Sequence, residues 1–233
     1  MKVLLLNGGP HPQGCVATAL EEIARVLKVE GIDSEIVWIG NQPVAGCIGC
    51  GLCRKEGQCF RQDGVNAFIE KAKECDGFIF GSPVHYGSAS GAITSFLDRV
   101  FYSGSVHFRG KPGACVVSCR RGGNTAAFDQ LNKYFTINQM PVVSSQYWNQ
   151  VHGTSRIEVL QDKEGMQIMR TLGHNMAWLL KCIEAGKEKS FIDSLKSVGL
   201  SNPFEKETLR KIVLGIETYF DIGEQASELK NAA

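Results

Sequence analysis

Four of the nine cysteines fall within thirteen residues, as Cys47-x2-Cys50-x2-Cys53-x5-Cys59. Cysteines three apart in an irregular segment can turn their thiolates onto one small object. Gly46, Gly49, Gly51 and Gly57 give this segment the backbone freedom to wrap it. A [4Fe–4S] cluster is one such object. The ferredoxin-type run closes with a three-residue gap and Cys-Pro, and its fourth cysteine serves a second cluster. Here the gap is five and Phe60 follows, so all four cysteines can serve one centre. Zinc is a rival, although structural zinc usually takes two well-separated Cys-x2-Cys pairs, which this chain lacks. Unligated thiols are the third reading. Cys15, Cys75, Cys115, Cys119 and Cys182 are spaced singly and read as small apolar residues.

Three glycine-rich segments make a second group. Asn7-Gly8-Gly9-Pro10-His11-Pro12-Gln13-Gly14 joins an apolar run to a helical pattern. Such a turn offers backbone N–H groups and the positive end of a helix to an anion, and Thr18 adds a hydroxyl in the first turn. Ser82-Pro83-Val84-His85-Tyr86-Gly87-Ser88 combines small residues with two rings, as a slot for a flat ring does. Cys119-Arg120-Arg121-Gly122-Gly123 brings two guanidinium groups and further N–H groups, suited to a ring edge that gains charge. A phosphate at the first loop and a planar ring between the other two describe flavin mononucleotide (FMN). No G-x-G-x-x-G follows a strand, so a dinucleotide-binding Rossmann site is not indicated. The first and third loops taken alone are equally consistent with ordinary turn chemistry, and His85 or Tyr86 taken alone fits ordinary loop packing better.

The elements that must position these loops follow from periodicity. Apolar runs at 3–6, 36–39, 77–81, 114–118 and 140–144 read as five strands, the last placed at an edge by Pro141. Helical spacing connects them: 14–30 with Leu20, Ile23 and Leu27 inward, then a helix capped by Asp63 that buries Val65, Phe68, Ile69 and Ala72. The next helices bury Ile93, Phe96, Leu97 and Val100, then Phe128, Leu131 and Phe135, and a fifth spans 162–185. This alternation predicts an α/β doubly wound parallel sheet in the order 2-1-3-4-5, whose loops after strands 1, 3 and 4 converge at one edge. Residues 1–187 form that domain, with the cysteine-rich loop 46–60 inserted after strand 2. Residues 188–233 form a C-terminal extension with one amphipathic helix carrying Leu209, Ile212, Val213, Ile216 and Phe220.

Composition excludes several classes. Lys plus Arg number 25 against 24 Asp plus Glu, so there is no basic excess of the kind nucleic-acid or membrane-surface proteins use. No apolar run is long enough to span a bilayer. The N-terminus enters a strand directly after Lys2, without a small-residue cleavage site. A cytoplasmic chain that uses thiolates for metal or redox work is the expectation.

With these motifs in view, the chain resembles the NADPH-dependent FMN reductase and iron–sulfur flavoprotein branch of the flavodoxin-like superfamily. The residues that carry the resemblance are Asn7 to His11, Gly81 to Ser88, Arg120 to Gly123 and the cysteine loop, within residues 1 to 185. It implies that Gly9, His11, Gly14 and Thr18 line the FMN phosphate. It also implies that Ser82 to Ser88 hold the ring and that Cys119 to Gly123 flank its pyrimidine end. The family pattern has a serine and a threonine where this chain has Gly9 and Val16, so two phosphate hydroxyls are missing and backbone N–H groups must hold the anion. The resemblance further implies NAD(P)H as transient reductant, and a quinone, a flavin or a ferredoxin-like protein as acceptor. A homodimer or homotetramer is implied too, with Trp148-Asn149 and the extra C-terminal helix as candidate contact elements. The alternative is a pure electron carrier that does not oxidise NAD(P)H.

Overall fold

In the computed structural model, which describes residues 1–188, the apolar run after Met1 becomes β1 (Lys2–Asn7). It is followed by β2 (Asp33–Trp38), β3 (Gly77–His85), β4 (Ser88–Ala89), β5 (Gly113–Cys119) and β6 (Gln150–His152). The helices are α1 (Cys15–Val29), α2 (Leu52–Glu56), α3 (Gly64–Lys73), α4 (Gly91–Gly104), α5 (Asn124–Ile137), α6 (Arg156–Gln161) and α7 (Lys163–Glu188). The chain divides into two units, Met1–Ile183 and Glu184–Ala233, and the sheet belongs to the first. The helix expected around Leu209 to Phe220 lies outside the described residues. Among the described residues no helix is long and apolar enough to cross a membrane.

Five strands pair in parallel in the order β2-β1-β3-β5-β6, and β4 adds an antiparallel ribbon to the end of β3. Without that ribbon the order is the expected 2-1-3-4-5. Side chains alternate across a strand, so the sheet carries two cores. Leu4, Leu6, Phe78, Phe80, Cys115 and Val117 face α3, α4 and α5. Val3, Leu5, Ile79, Ala114, Val116 and Val151 face α1, α6 and α7. The first core is rich in phenylalanine: Phe80 stacks on Phe135 at 5.1 Å, and Phe78 lies 4.5 Å from Phe108. Each such buried ring contributes roughly 2–3 kcal/mol.

The fifth strand differs from the sequence expectation. Residues 140–144 contribute one bridge, in which Gly113 donates to Pro141 O and Val143 donates to Gly113 O, both at 2.9 Å. The chain then leaves the sheet at Ser144 and returns as β6 beside Val117–Cys119. The excursion is closed internally. Ser145 Oγ lies 2.7 Å from Asn149 Oδ1, and Asn149 Nδ2 donates to Val143 O at 3.4 Å. Asn149 is therefore a buried bracket and not a surface contact, whereas Trp148 is half-exposed against Tyr147. Apolar β-branched residues marked the bridge, but the pairing that completes the edge is set by hydrogen bonds to β5, which periodicity does not reveal.

Candidate functional site

The first glycine loop takes its shape from a buried amide. Asn7 Oδ1 accepts from Gly9 N–H at 2.9 Å, and Asn7 Nδ2 donates to His11 O at 3.3 Å. Gly8 N–H donates to Gly81 O at 2.8 Å, fastening the loop to the neighbouring strand. A Cβ on Gly8 would sit 2.6 Å from Ile93 Cδ1 and 2.8 Å from that carbonyl, so no larger residue fits. α1 then starts with Gly14 at its N-cap and no side-chain cap. Its first N–H groups have no partner within the helix and border a cavity of about 250 Å³ at the carboxyl ends of the strands. Thr18 takes no part in the lining: it is buried, and its hydroxyl bonds back to Gly14 O at 3.0 Å.

The second loop is a hairpin. β3 runs on to His85, and Val84 and His85 pair with Ala89 and Ser88 across a two-residue turn. Both turn residues have positive φ, Tyr86 at 51° and Gly87 at 73°, the signature of a tight hairpin turn that matches the strand twist. An aromatic residue there is strained, and the Tyr86 ring is fully exposed. Ser82 is buried and its Oγ accepts from Ser90 N–H, while Ser88 Oγ donates to Gln130. Those two hydroxyls hold the hairpin. Pro83, Val84 and His85 line the cavity.

The third loop closes on the second, because a Cβ on Gly123, itself at φ 88°, would meet Gly87 Cα at 2.6 Å. Cys119 and Arg120 line the same cavity, and Arg121 and Gly122 are exposed beside it. Burial, with the nearby Asp162 charge, pushes the Cys119 thiol above its ordinary range, which disfavours the thiolate. Gly153, Thr154 and Cys15 also line the cavity, with Pro10, Val16 and Ser118. Gly153 N–H donates to Cys119 O at 3.1 Å, and the Cys15 thiol reaches Gly153 O at 3.7 Å. Sequence reasoning missed Gly153 and Thr154 because they follow β6, whose place had been given to 140–144.

Of the residues singled out from sequence, Gly9, His11, Gly14, Pro83, Val84, His85, Cys119 and Arg120 thus meet around one cavity. Tyr86, Gly87, Ser88, Arg121, Gly122 and Gly123 form its rim, and Thr18 and Ser82 brace it from behind. Unpaired N–H groups at one end, small residues and a strand edge in the middle, and a guanidinium at the mouth suit a phosphate-bearing planar group.

The cysteine loop lies elsewhere on the same domain. Gly51 and Gly57 flank α2 at φ of 71° and 69°, turning the chain sharply at both ends. Cys47, Cys50, Cys53 and Cys59 all line one cavity of about 190 Å³, together with Phe60, Arg99 and Tyr102. The donor set suits a thiolate-bound metal group. As placed, no three His, Cys, Asp or Glu side chains among the described residues stand close enough to hold a metal ion. The thiols share a cavity without forming a closed cage. Arg99, on α4, is the functional candidate that sequence reasoning missed here. Its Nε and Nη2 each donate to Cys59 Sγ at 3.3 Å, and it pairs with Asp63. The Asp63 side chain also caps α3 by accepting from Val65 N–H, as the sequence predicts. Burial by itself would raise the Asp63 carboxyl, but the hydrogen bonds from Arg99 and Val65 and the Arg99 charge outweigh it and hold the carboxyl below its ordinary value.

Comparisons with known proteins agree with this architecture. The family model described as NADPH-dependent FMN reductase matches residues 1–154. An iron–sulfur flavoprotein of Methanocaldococcus jannaschii is 31% identical over 192 residues, covering 79% of this chain and 100% of that protein. Among solved structures, RosB with a bound riboflavin-5'-phosphate derivative superimposes with a TM-score of 0.64 at 13% identity, covering 88% of this chain and 89% of that one. An archaeal flavodoxin gives 0.53 at 15% identity, covering 78% and 99%. The fold is flavodoxin-like.

Proposed function

The chain belongs to the NADPH-dependent FMN reductase family, and on that footing we propose that it is an FMN-dependent NAD(P)H oxidoreductase that passes electrons through a [4Fe–4S] cluster. The observation that carries the flavin part is the uncapped start of α1 bordering the cavity where the loops after β1, β3, β5 and β6 converge. FMN, when bound, supplies both one-electron and two-electron chemistry. The protein's part is to bind, orient and shield. The N–H groups in the first turn of α1 take the phosphate, with Gly9 and Gly14 lining the space beside it. Pro83 and Val84 offer an apolar wall to the ring, and His85 and Arg120 stand at the solvent side. Arg120 lines the cavity while Arg121 only borders it, so Arg120 is the better placed to oppose charge that builds on the ring. No side chain is assigned as catalytic acid or base.

Cys47, Cys50, Cys53 and Cys59 are the proposed ligands of the cluster, supported by their shared cavity and by the naming of the Methanocaldococcus relative as an iron–sulfur flavoprotein. The acceptors are a quinone, a flavin or a ferredoxin-like protein. Residues 1–187 make up the working domain, and the protein acts in the cytoplasm as a homodimer or homotetramer.

The second reading is an electron carrier that leaves NAD(P)H untouched. Anaerobic rapid mixing with NADPH and with NADH separates the two. Bleaching of the flavin band by either nucleotide is the expected result, slowed by Arg120→Ala. A band unchanged by both nucleotides establishes the carrier instead.

A further inference from the structure

One of the four clustered thiols is held far more firmly than the others. The backbone of Cys59 is pinned by Asn66 of α3, whose Oδ1 accepts from Cys59 N–H at 3.0 Å and whose Nδ2 donates to Cys59 O at 2.8 Å. Its sulfur is met by Nε and Nη2 of Arg99. Cys53 Sγ reaches only a backbone carbonyl, Tyr102 O at 3.5 Å. Cys47 and Cys50 are exposed.

Arg99 is an unusual residue to find in this place. It is 2% exposed, in the middle of a helix that otherwise buries apolar side chains. A guanidinium taken out of water needs a partner for each of its five N–H donors. Two bonds go to Asp63 (Nη1–Oδ2 2.5 Å, Nη2–Oδ1 2.9 Å), one to Ala45 O at 3.3 Å, and the other two to Cys59 Sγ. Every donor is used, and two of the five are spent on one thiol. An apolar side chain of similar volume would pack this position without the expense of burying a charge. What the charge adds is a fixed sulfur at the wall of the four-cysteine cavity.

We propose that Arg99 is the positioning residue of the cysteine site. Braced by Asp63, it fixes the Cys59 sulfur as the anchor on which the four-thiolate iron–sulfur centre assembles, and it keeps two N–H donors on that sulfur afterwards. The proposal rests on the reading of the loop as a cluster site. Four thiolates around a metal group leave a net negative charge, so an adjacent cation and N–H donors stabilise the occupied site. They stabilise it more when it carries an additional electron, which raises its reduction potential. The other three thiols then close onto an anchor already in position.

The test uses the full chain with Arg99→Met, which keeps the volume and removes the donors, and Arg99→Lys, which restores the charge. FMN content serves as the check on folding. Cadmium(II) is titrated into the metal-free protein, followed by the thiolate charge-transfer absorbance. The proteins are also reconstituted anaerobically with iron and sulfide for a potential titration followed by electron paramagnetic resonance. The expected result for Arg99→Met is a tenfold to hundredfold weaker cadmium affinity, as found when groups supporting metal ligands are removed, and a more negative cluster potential. Arg99→Lys should fall between Met and wild type in both. Equal affinity and equal potential in all three proteins would overturn the role of Arg99 while leaving the cluster reading intact. A wild-type protein that takes up neither cadmium nor iron would overturn both.

Discussion

The flavin crevice and the cysteine loop belong to one domain and are built in opposite ways. The crevice is made almost entirely by tertiary contacts. Gly8 is fastened to Gly81, Gly123 is pressed against Gly87, and Gly153 is bonded to Cys119, so backbone from distant parts of the chain meets backbone. Few of its side chains carry distinctive chemistry. The cysteine loop has four chemically distinctive side chains and little to hold them, with only α2 as local structure and Cys59 as its firm attachment. One site is a shape made by backbone, and the other is a set of thiol donors on a short loop. Helix α4 joins them. Its N-cap Ser90 donates to Gly8 O at 3.2 Å, and Arg99, nine residues on and so about 14 Å along the axis, reaches Cys59.

If the crevice depends on close backbone approach, its glycines should be more sensitive than those of the cysteine loop. Gly8→Val should destabilise the fold by roughly 3 kcal/mol through overpacking against Ile93 and should abolish FMN binding, read by thermal unfolding and flavin fluorescence. The matching change in the loop, Gly51→Ala, meets no atom within 4 Å. It should cost only the left-handed strain, about 1–2 kcal/mol, and leave FMN affinity unchanged. Equal losses from the two would erase the contrast.

Arg99→Ala comes next. Breaking a buried pair usually costs about 3–5 kcal/mol, and the water-facing side of Asp63 should bring the loss toward the lower end of that range. The double change Cys47→Ser with Cys50→Ser is smaller still. These residues are exposed, so the metal-free protein should melt within about 0.5 kcal/mol of wild type and bind FMN normally, and on the proposed reading it should fail to take up iron on reconstitution. A loss of FMN in that variant would show that the two sites are not independent.

The smallest effect is one of pH. The Asp63 carboxyl is held below its ordinary value in the folded protein, so its contribution is present above the unfolded value of 3.8 and is lost as pH falls through the folded one. Wild type and Asp63→Asn should therefore differ most near neutral pH and converge in acid below pH 3.8, measured by denaturant unfolding across pH. A gap that widens in acid would contradict the pairing with Arg99.

The contrast also decides what could be read from sequence. The cysteine spacing and the three glycine loops were legible because cysteine is a sparse type whose intervals carry meaning, and glycine clustered after an apolar run marks a turn. The sheet order followed from the strict alternation of strands and helices. The fourth crevice loop was hidden because Val142 and Val143 look like a strand and make only one bridge, while the pairing of β6 depends on hydrogen bonds to β5. Thr18 and Ser82 were read as ligand groups because a hydroxyl near a loop suggests one. Whether it points into the cavity or back at a carbonyl is a matter of rotamer. Arg99 was missed because a lone cation within an apolar helical stripe reads as solvated, and its partner Asp63 lies 36 residues away.

The most direct measurement is the visible spectrum of protein purified without oxygen, with FMN, iron and acid-labile sulfide assayed on the same sample. Flavin bands on a broad iron–sulfur absorbance, with one FMN and about four irons per chain, are the expected result. A colourless protein that takes up no added FMN would contradict the central claim, and flavin bands without iron would confine it to the crevice.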